Sequence, residues 1–550
     1  MKYNRIIAHK GVRPPIGGRT PSIKKIMKEI KIILVSLFKF TKANKGNIIL
    51  LLIILFGAFL RLYNFEELLR FNNDQVRDIQ IVEQIKNGEP IYLGPKAGGT
   101  KFNLGPAFYY LEYLSGLIFG FSPTGIAFFI PLLSIASIYL FYILFKKIFS
   151  QKITFTLTFL YAISFFALKY SHFAWNPNPT PFFVLSFLLL IYQIRENQNW
   201  KKFLLLGLII GIGIQLHTTL LVAMPIFTFL TLGYFYFKEK INLSFKNILI
   251  LFSAIIILNI PFIYGDLVNK GENIREFFAG TQTKSNGQNS IIENFFHTAQ
   301  FFVQGTAYHL TGLEPQKNWL RPIKLLKSKD LLEISLWLSS LIIFISGFYL
   351  IIRNKFGNKK NQNPTFILFA FFILNFLIFI PLGDELNIRF FIIFQFLPYL
   401  ILGFIITEIF KSNRLKKIKI AGILLLLLLI VISNLFIFKK TYNLQNYSAR
   451  ESAYGGISWG ELEDLCKNIK NLSEKNKLEK IYLSKDFEYK NSLKYACQKQ
   501  GLAIDFINKK ELSQYSAVFD ISKQNNSLSK DELSQEKISV YRFTLFLFKK

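Results

Sequence analysis

The chain has 550 residues, 51% hydrophobic and 16% aromatic, with 66 Lys and Arg against 34 Asp and Glu and a formal charge of +32. Its apolar residues fall in long runs rather than in the stripes of a water-soluble domain, which excludes an ordinary soluble enzyme and specifies a polytopic membrane protein. The positive charge lies in short clusters between those runs, as in cytoplasmic membrane loops, and so points away from nucleic acid as a partner.

Residues 1–46 form a basic segment without the small-residue cleavage site of a secretory signal; it is expected to stay uncleaved in the cytoplasm, with 26–40 along the membrane surface. A bilayer core of about 30 Å needs about 20 apolar residues per helix. On that measure eleven spans are expected, near 47–63, 124–145, 153–171, 179–195, 203–216, 218–237, 247–264, 331–352, 364–382, 388–409 and 418–437. The segment 106–121 is apolar but short and carries Glu112. If it lies in the interface, the clusters Lys146/Lys147/Lys152, Arg195/Lys201/Lys202, Lys238/Lys240/Lys246, Arg353/Lys355/Lys359/Lys360 and Lys411/Arg414/Lys416/Lys417/Lys419 all face the cytoplasm; if it spans, all five face outward. The charge bias favours an interfacial helix, with Tyr109, Tyr110 and Tyr113 at headgroup level.

That choice gathers loop 64–105, the turn Trp175-Asn176-Pro177-Asn178-Pro179, the turn at His217, segment 265–330, the turn Gly383-Asp384-Glu385 and the C-terminal region on the outer face. The domain plan is thus a basic segment (1–46), a transmembrane domain (47–440) and a small α/β extracytoplasmic domain (441–550). In the last, helices are expected from Glu461 and over 491–499, and strands at 480–483, 503–507, 517–520 and 538–548. It has no Gly-rich phosphate loop, HExxH or GxSxG, so no catalysis is assigned to it. Cys466 and Cys497 both lie there, bonded to each other or as two thiols.

The chemistry concentrates in Asn73-Asp74-Gln75-Val76-Arg77-Asp78, directly after the first span. Asp74 precedes a helical pattern of Val76, Ile79, Val82 and Ile85, so it serves as a helix cap, as a general base, or as both. Asp78 follows one turn later, either on a solvated face or beside Asp74 as a second catalytic carboxylate, with Arg77 adjacent to hold an anion. Arg389 starts a span after the acidic turn; it either snorkels to the headgroups or grips a lipid-linked phosphate bidentately. Lys101 and Lys96, in the Gly-rich run 94–101, are weaker candidates of the same kind. His217, at a turn between short spans, and Asn176, in the second outer loop, are binding candidates whose plainer roles are an interfacial histidine and turn chemistry.

Taken together, Arg61-Leu62-Tyr63, Asp74-Gln75-Val76-Arg77-Asp78, Gly94-Pro95, the Gly-Pro-x-x-Tyr-Tyr-Leu of 105–111, Trp175-Asn176-Pro177-Asn178 and Gln215-Leu216-His217 resemble bacterial GT-C glycosyltransferases, in particular the branch of protein mannosyltransferases and aminoarabinose transferases. The resemblance covers roughly 47–440. It implies a multispan enzyme that moves a sugar from a polyprenyl-phosphate carrier to a lipid, glycan or protein acceptor on the outer face, usually with inversion, with Asp74 as the essential carboxylate of the first outer loop. Arg389, Arg77 or Lys101 would then receive the phosphate, whose departing charge needs a cation more than a strong acid. Gln75 stands where many relatives carry Glu, and Asn176 and Asn178 where many carry a carboxylate. These departures disfavour a divalent metal, and no other cofactor is called for. Leu104 replaces the His that precedes Gly-Pro in some relatives, so the sugar is left unassigned.

Two rival classes make different demands. A lipid-linked oligosaccharide polymerase or ligase would place its key residues in segment 265–330, with Arg275, His297, His309 and Arg321 as candidates. A transporter or flippase would show inverted repeats, broken mid-membrane helices and intramembrane charges, whereas the long spans here are nearly free of charge.

Overall fold

The computed structural model describes residues 45–285, 290–313, 331–356, 364–411, 416–443, 456–508, 515–523 and 536–549. The expected surface helix at 26–40, Lys359, Lys360, Arg414 and Arg321 lie outside these residues, as does the side chain of Asp384. The chain divides into two units, Met1–Leu52 and Ile53–Lys550, and all contacts below fall within the second.

Among the described residues, seven helices are long and apolar enough to cross a bilayer: Lys45–Leu62, Pro123–Lys146, Thr218–Phe237, Phe245–Val268, Ile334–Asn354, Thr365–Gly383 and Lys416–Thr441. The pair Ile388–Phe394 and Leu397–Lys411, bent by 61°, raises the number to eight if it counts as one span. The other three of the eleven expected spans are helical but short. Thr180–Glu196 has 17 residues and Trp200–Gly213 has 14. The third breaks at Ser164 into Gln151–Ile163 and Phe165–Lys169.

The break is possible because side chains meet the backbone groups it frees, which an apolar interior would otherwise penalise. Asn434 Oδ1 accepts from Phe165 N (2.8 Å) while its Nδ2 donates to Leu310 O (2.6 Å), and Ser164 Oγ donates to His309 O (3.0 Å). Arg61, fully buried near the end of the first span, donates to Ser134 Oγ and Ala162 O (both 2.8 Å), so its charge is used inside the fold.

Trp200–Gly213 packs on Phe245–Val268 through two glycines one turn apart. A β-carbon on Gly207 would stand 2.6 Å from Leu251 O, and one on Gly211 2.9 Å from Leu258 Cδ1. Small residues spaced this way let helix backbones approach closely in an apolar medium. The contact fixes Gln215, whose Nε2 donates to Gly211 O (2.8 Å) and Leu258 O (3.1 Å). Segment 265–330, read from sequence as a loop, contains the helices Glu272–Ser285 and Ile291–Thr311, and residues 300–310 of the second are buried.

The C-terminal region is a five-stranded mixed sheet with strands β1 (Tyr482–Ser484), β2 (Asp505–Ile507), β3 (Ala517–Lys523), β4 (Glu536–Val540) and β5 (Phe543–Lys549) in the order β2-β1-β3-β5-β4. β1 runs parallel to β2 and β3, and β5 antiparallel to β3 and β4. The strand expected over 538–548 is two strands, because Tyr541 adopts a positive φ of 53° and turns the chain back. Helices Trp459–Lys475 and Lys490–Lys499 accompany the sheet and are joined by a disulfide between the fully buried Cys466 and Cys497.

Gly207→Leu is expected to overpack the helix pair and lower stability by about 1–3 kcal/mol. A reduced unfolding temperature in detergent, with Gly207→Ala affected less, is the result to look for.

Candidate functional site

Asp74 lies in the first turn of the helix Asn73–Lys86, which is entered through a capping box formed by Asn72 and Gln75. Gln75 Oε1 accepts from Asn72 N (2.9 Å) and its Nε2 donates to Ala174 O (2.6 Å). The residue after Asp74 therefore ties the helix start to loop 170–179. Asp74 is 58% exposed and Asp78 only 1%, and Arg77 stands between them. Arg77 donates to Asp78 Oδ1 from Nη2 (2.7 Å) and Nε (2.9 Å), and reaches Asp74 Oδ1 from Nη1 at 3.3 Å. The two carboxylates share a face but differ in state: Asp74 opens to water, whereas Asp78 is enclosed and paired.

Burial pushes the Asp78 carboxyl up to about 7, against the pull of Arg77 and the Tyr109 hydroxyl. Burial also opposes the charge on Arg77, but the adjacent Asp78 outweighs it and holds the guanidinium above its usual value. Glu112, one turn after Tyr109 on the helix Ala107–Phe119, is buried, and burial together with Asp78 raises its carboxyl well above the ordinary range. Its Oε2 has no hydrogen-bond partner among the described residues.

Loop 170–179 is the hub. Its His172 O accepts from Arg70 N (3.1 Å), its Ala174 O from Gln75, and Asn176 Nδ2 donates to Leu216 O (2.9 Å). The Arg389 guanidinium lies over the Trp175 ring at 5.7 Å and over Phe390 at 5.4 Å. His217 caps Thr218–Phe237, its Nδ1 accepting from Thr219 N (3.1 Å), and its ring packs edge-on to Phe390 at 5.6 Å. Asn176, His217 and Arg389 are thus joined around Trp175, and Asp74 is tied to the same loop through Gln75.

The run 94–104 folds back on itself, Gly94 N donating to Leu104 O (2.7 Å) and Ala97 N to Phe102 O (2.8 Å). At its tip, a β-carbon on Gly98 would stand 3.8 Å from Arg389 Nη2. At its base, Gln215 Oε1 accepts from Ala107 N (3.1 Å) and packs so closely on Gly105 that no side chain fits there. Lys101 is directed elsewhere: it is 81% exposed and 3.9 Å from Glu276. Lys96 contributes a backbone bridge with Asn103. Tyr109, expected at headgroup level, is instead buried beside Asp78, and the sequence assigns no role to Gln75, Gln215, Trp175 or Glu112. The signal for Tyr109 and Glu112 was their three-residue spacing on a helix that also had to bury a face. Among the described residues, no three His, Cys, Asp or Glu side chains converge as metal ligands.

Residues 103–264, less than half of the chain, match the family model described as dolichyl-phosphate-mannose-protein mannosyltransferase. No curated protein sequence matches the chain. Among solved structures, the chain is similar to the oligosaccharyltransferase of Archaeoglobus fulgidus, solved tethered to an acceptor peptide, at 14% identity over 88% of this chain and 70% of that one, with a TM-score of 0.46. It is also similar to ArnT from Cupriavidus metallidurans bound to undecaprenyl phosphate, at 9% identity over 92% and 98%, with a TM-score of 0.49. A third similarity, to the S. cerevisiae protein O-mannosyltransferase Pmt1-Pmt2 complex bound to its sugar donor, has 16% identity over 40% and 33% and a TM-score of 0.33.

The raised Asp78 carboxyl has a signed consequence. Between the unfolded value near 4 and the folded value of about 7, the native protein binds a proton that the unfolded chain has lost, so this group's contribution to stability falls as pH rises through that window. Asp78→Asn removes the contribution. Its unfolding temperature should climb relative to the parent's from pH 4 to 7 and hold a constant offset above about 8, measured by thermal unfolding in detergent.

Proposed function

We propose that the chain is a GT-C-type membrane glycosyltransferase that transfers a sugar from a polyprenyl-phosphate carrier to a hydroxyl or amine of a lipid, glycan or protein acceptor at the non-cytoplasmic face of the cytoplasmic membrane. The observation that carries the reading is the water-facing Asp74, on a helix start held to the same loop that holds Arg389. Asp74 takes the acceptor's proton as the acceptor attacks the anomeric carbon from the face opposite the phosphate. The bond from that carbon to the phosphate oxygen breaks, and the carrier phosphate leaves as an anion. Arg389, exposed beside Gly98 and next in sequence to the Phe390 that packs on His217, is the cation suited to meet that charge. Asp78 orients Arg77, and Arg77 in turn steadies Asp74; Asn176 supports the turn that carries His217.

The proposed sidedness rests on the distribution of charge. Placing the helix Ala107–Phe119 in the interface turns the five basic clusters to one side, the side that the positive-inside bias makes cytoplasmic. With it lying in the interface and the three short apolar helices counted as crossings, eleven passes put the N-terminus and the basic clusters in the cytoplasm and the site outside. The Cys466–Cys497 disulfide supports the same placement, since such bonds persist in oxidising compartments. The polymerase or ligase reading is less well supported: Arg275 donates to Gly271 O and Lys270 O, and His309 is buried against Ser164 and Tyr399.

Purified protein in liposomes, supplied with undecaprenyl-phosphate sugars labelled in the sugar and with crude envelope acceptors, tests the proposal. Asp74→Asn should lower transfer by about 10²-fold or more at unchanged expression, and Arg389→Ala should raise the KM for the donor. Full activity of Asp74→Asn would overturn the mechanism.

A further inference from the structure

We propose that the C-terminal α/β domain positions the reactive carboxylate, gripping the Asn73–Lys86 helix at both ends and thereby fixing the direction of Asp74. This rests on the reading of Asp74 given above and assigns the domain a part in the transfer reaction.

At the helix start, residues 69–72 run antiparallel to 456–459. Trp459 N donates to Leu69 O (2.7 Å), Phe71 N to Ile457 O (2.9 Å), and Arg70 bridges Ser458. Phe71 packs on the rings of Trp459 (4.9 Å) and Tyr495 (5.7 Å), so this pairing is closed off by aromatic side chains. The last link is the sharpest. Asn72 caps the Asp74 helix, and its Oδ1 accepts from Ile457 N at 3.2 Å. One side chain therefore belongs both to the domain contact and to the first turn, two residues before Asp74.

At the far end, Glu83 accepts from Lys499 Nζ (2.8 Å) and from the Tyr495 hydroxyl (3.3 Å). An exposed ion pair is a weak restraint by itself. Here it acts from a helix that is not independent of the other contact. Trp459 opens one domain helix, Tyr495 and Lys499 lie on the other, and the buried disulfide from Cys466 to Cys497 locks the two together. Rotation or sliding of the Asp74 helix must break one contact or move both domain helices.

Gly456→Ala tests the grip, because a β-carbon there would stand 2.5 Å from the Asn72 carboxamide. In the full-length protein in detergent, amide exchange over residues 73–79 should quicken by about tenfold, while the transmembrane peptides keep their protection. In the transfer assay kcat should fall by about tenfold with the donor KM unchanged, and Asn72→Ala, which removes the shared side chain, should move both readouts the same way. Lys499→Ala, made in parallel at an exposed position, should quicken exchange at 80–86. Unchanged exchange in Gly456→Ala and Lys499→Ala overturns the inference, as does a loss of kcat without faster exchange. Faster exchange with undiminished kcat overturns the positioning role, whereas full activity of Asp74→Asn would overturn the assignment of Asp74 as the base.

Discussion

A chain that leaves helical geometry inside an apolar assembly must find partners for the N–H and C=O groups it frees, and this demand locates the site. Carboxamides meet it at each break: Asn434 at the Ser164 break, Gln215 at Gly105–Ala107, Asn176 at Leu216 and Gln75 at Ala174. A carboxamide offers donors and an acceptor from one planar group and carries no charge, so it can bridge two segments where an ion would be costly to bury. The loops that carry Asp74, His217 and Arg389 are consequently stitched to loop 170–179, and the polar chemistry gathers where the helices are interrupted.

The same demand explains what was legible in the sequence. Long apolar runs announce themselves by composition, and the helices at 218–237, 245–268 and 416–441 fall where hydropathy puts them. The acidic start at 73–78 stands out because charge is rare beside a span. The short interior helices are a different matter. Thr180–Glu196 is buried on nearly every side by other helices, so its apolar content reflects protein neighbours as much as lipid, and composition cannot separate the two. The helix Ile291–Thr311 escaped because Gln300, Gln304 and His309 dilute its apolar face, although all three are buried. Gln75 and Gln215 were visible as motif letters only; their roles depend on Ala174, Gly105 and Leu258, which the sequence separates widely.

Electrostatics then distinguishes the two aspartates that the sequence could only pair. They are one turn apart on one helix, yet the neighbouring Ala107–Phe119 helix, with Tyr109 and Glu112, covers Asp78 and leaves Asp74 in water. A carboxylate that must accept a proton from an acceptor and release it to solvent gains from exposure, whereas one that must hold a guanidinium at a fixed angle gains from enclosure. Arg77 spans the boundary between these environments, bound firmly on the buried side and loosely on the wet side. Its orientation is therefore set from within the protein, and Asp74 meets a cation whose position does not depend on the solvent around it.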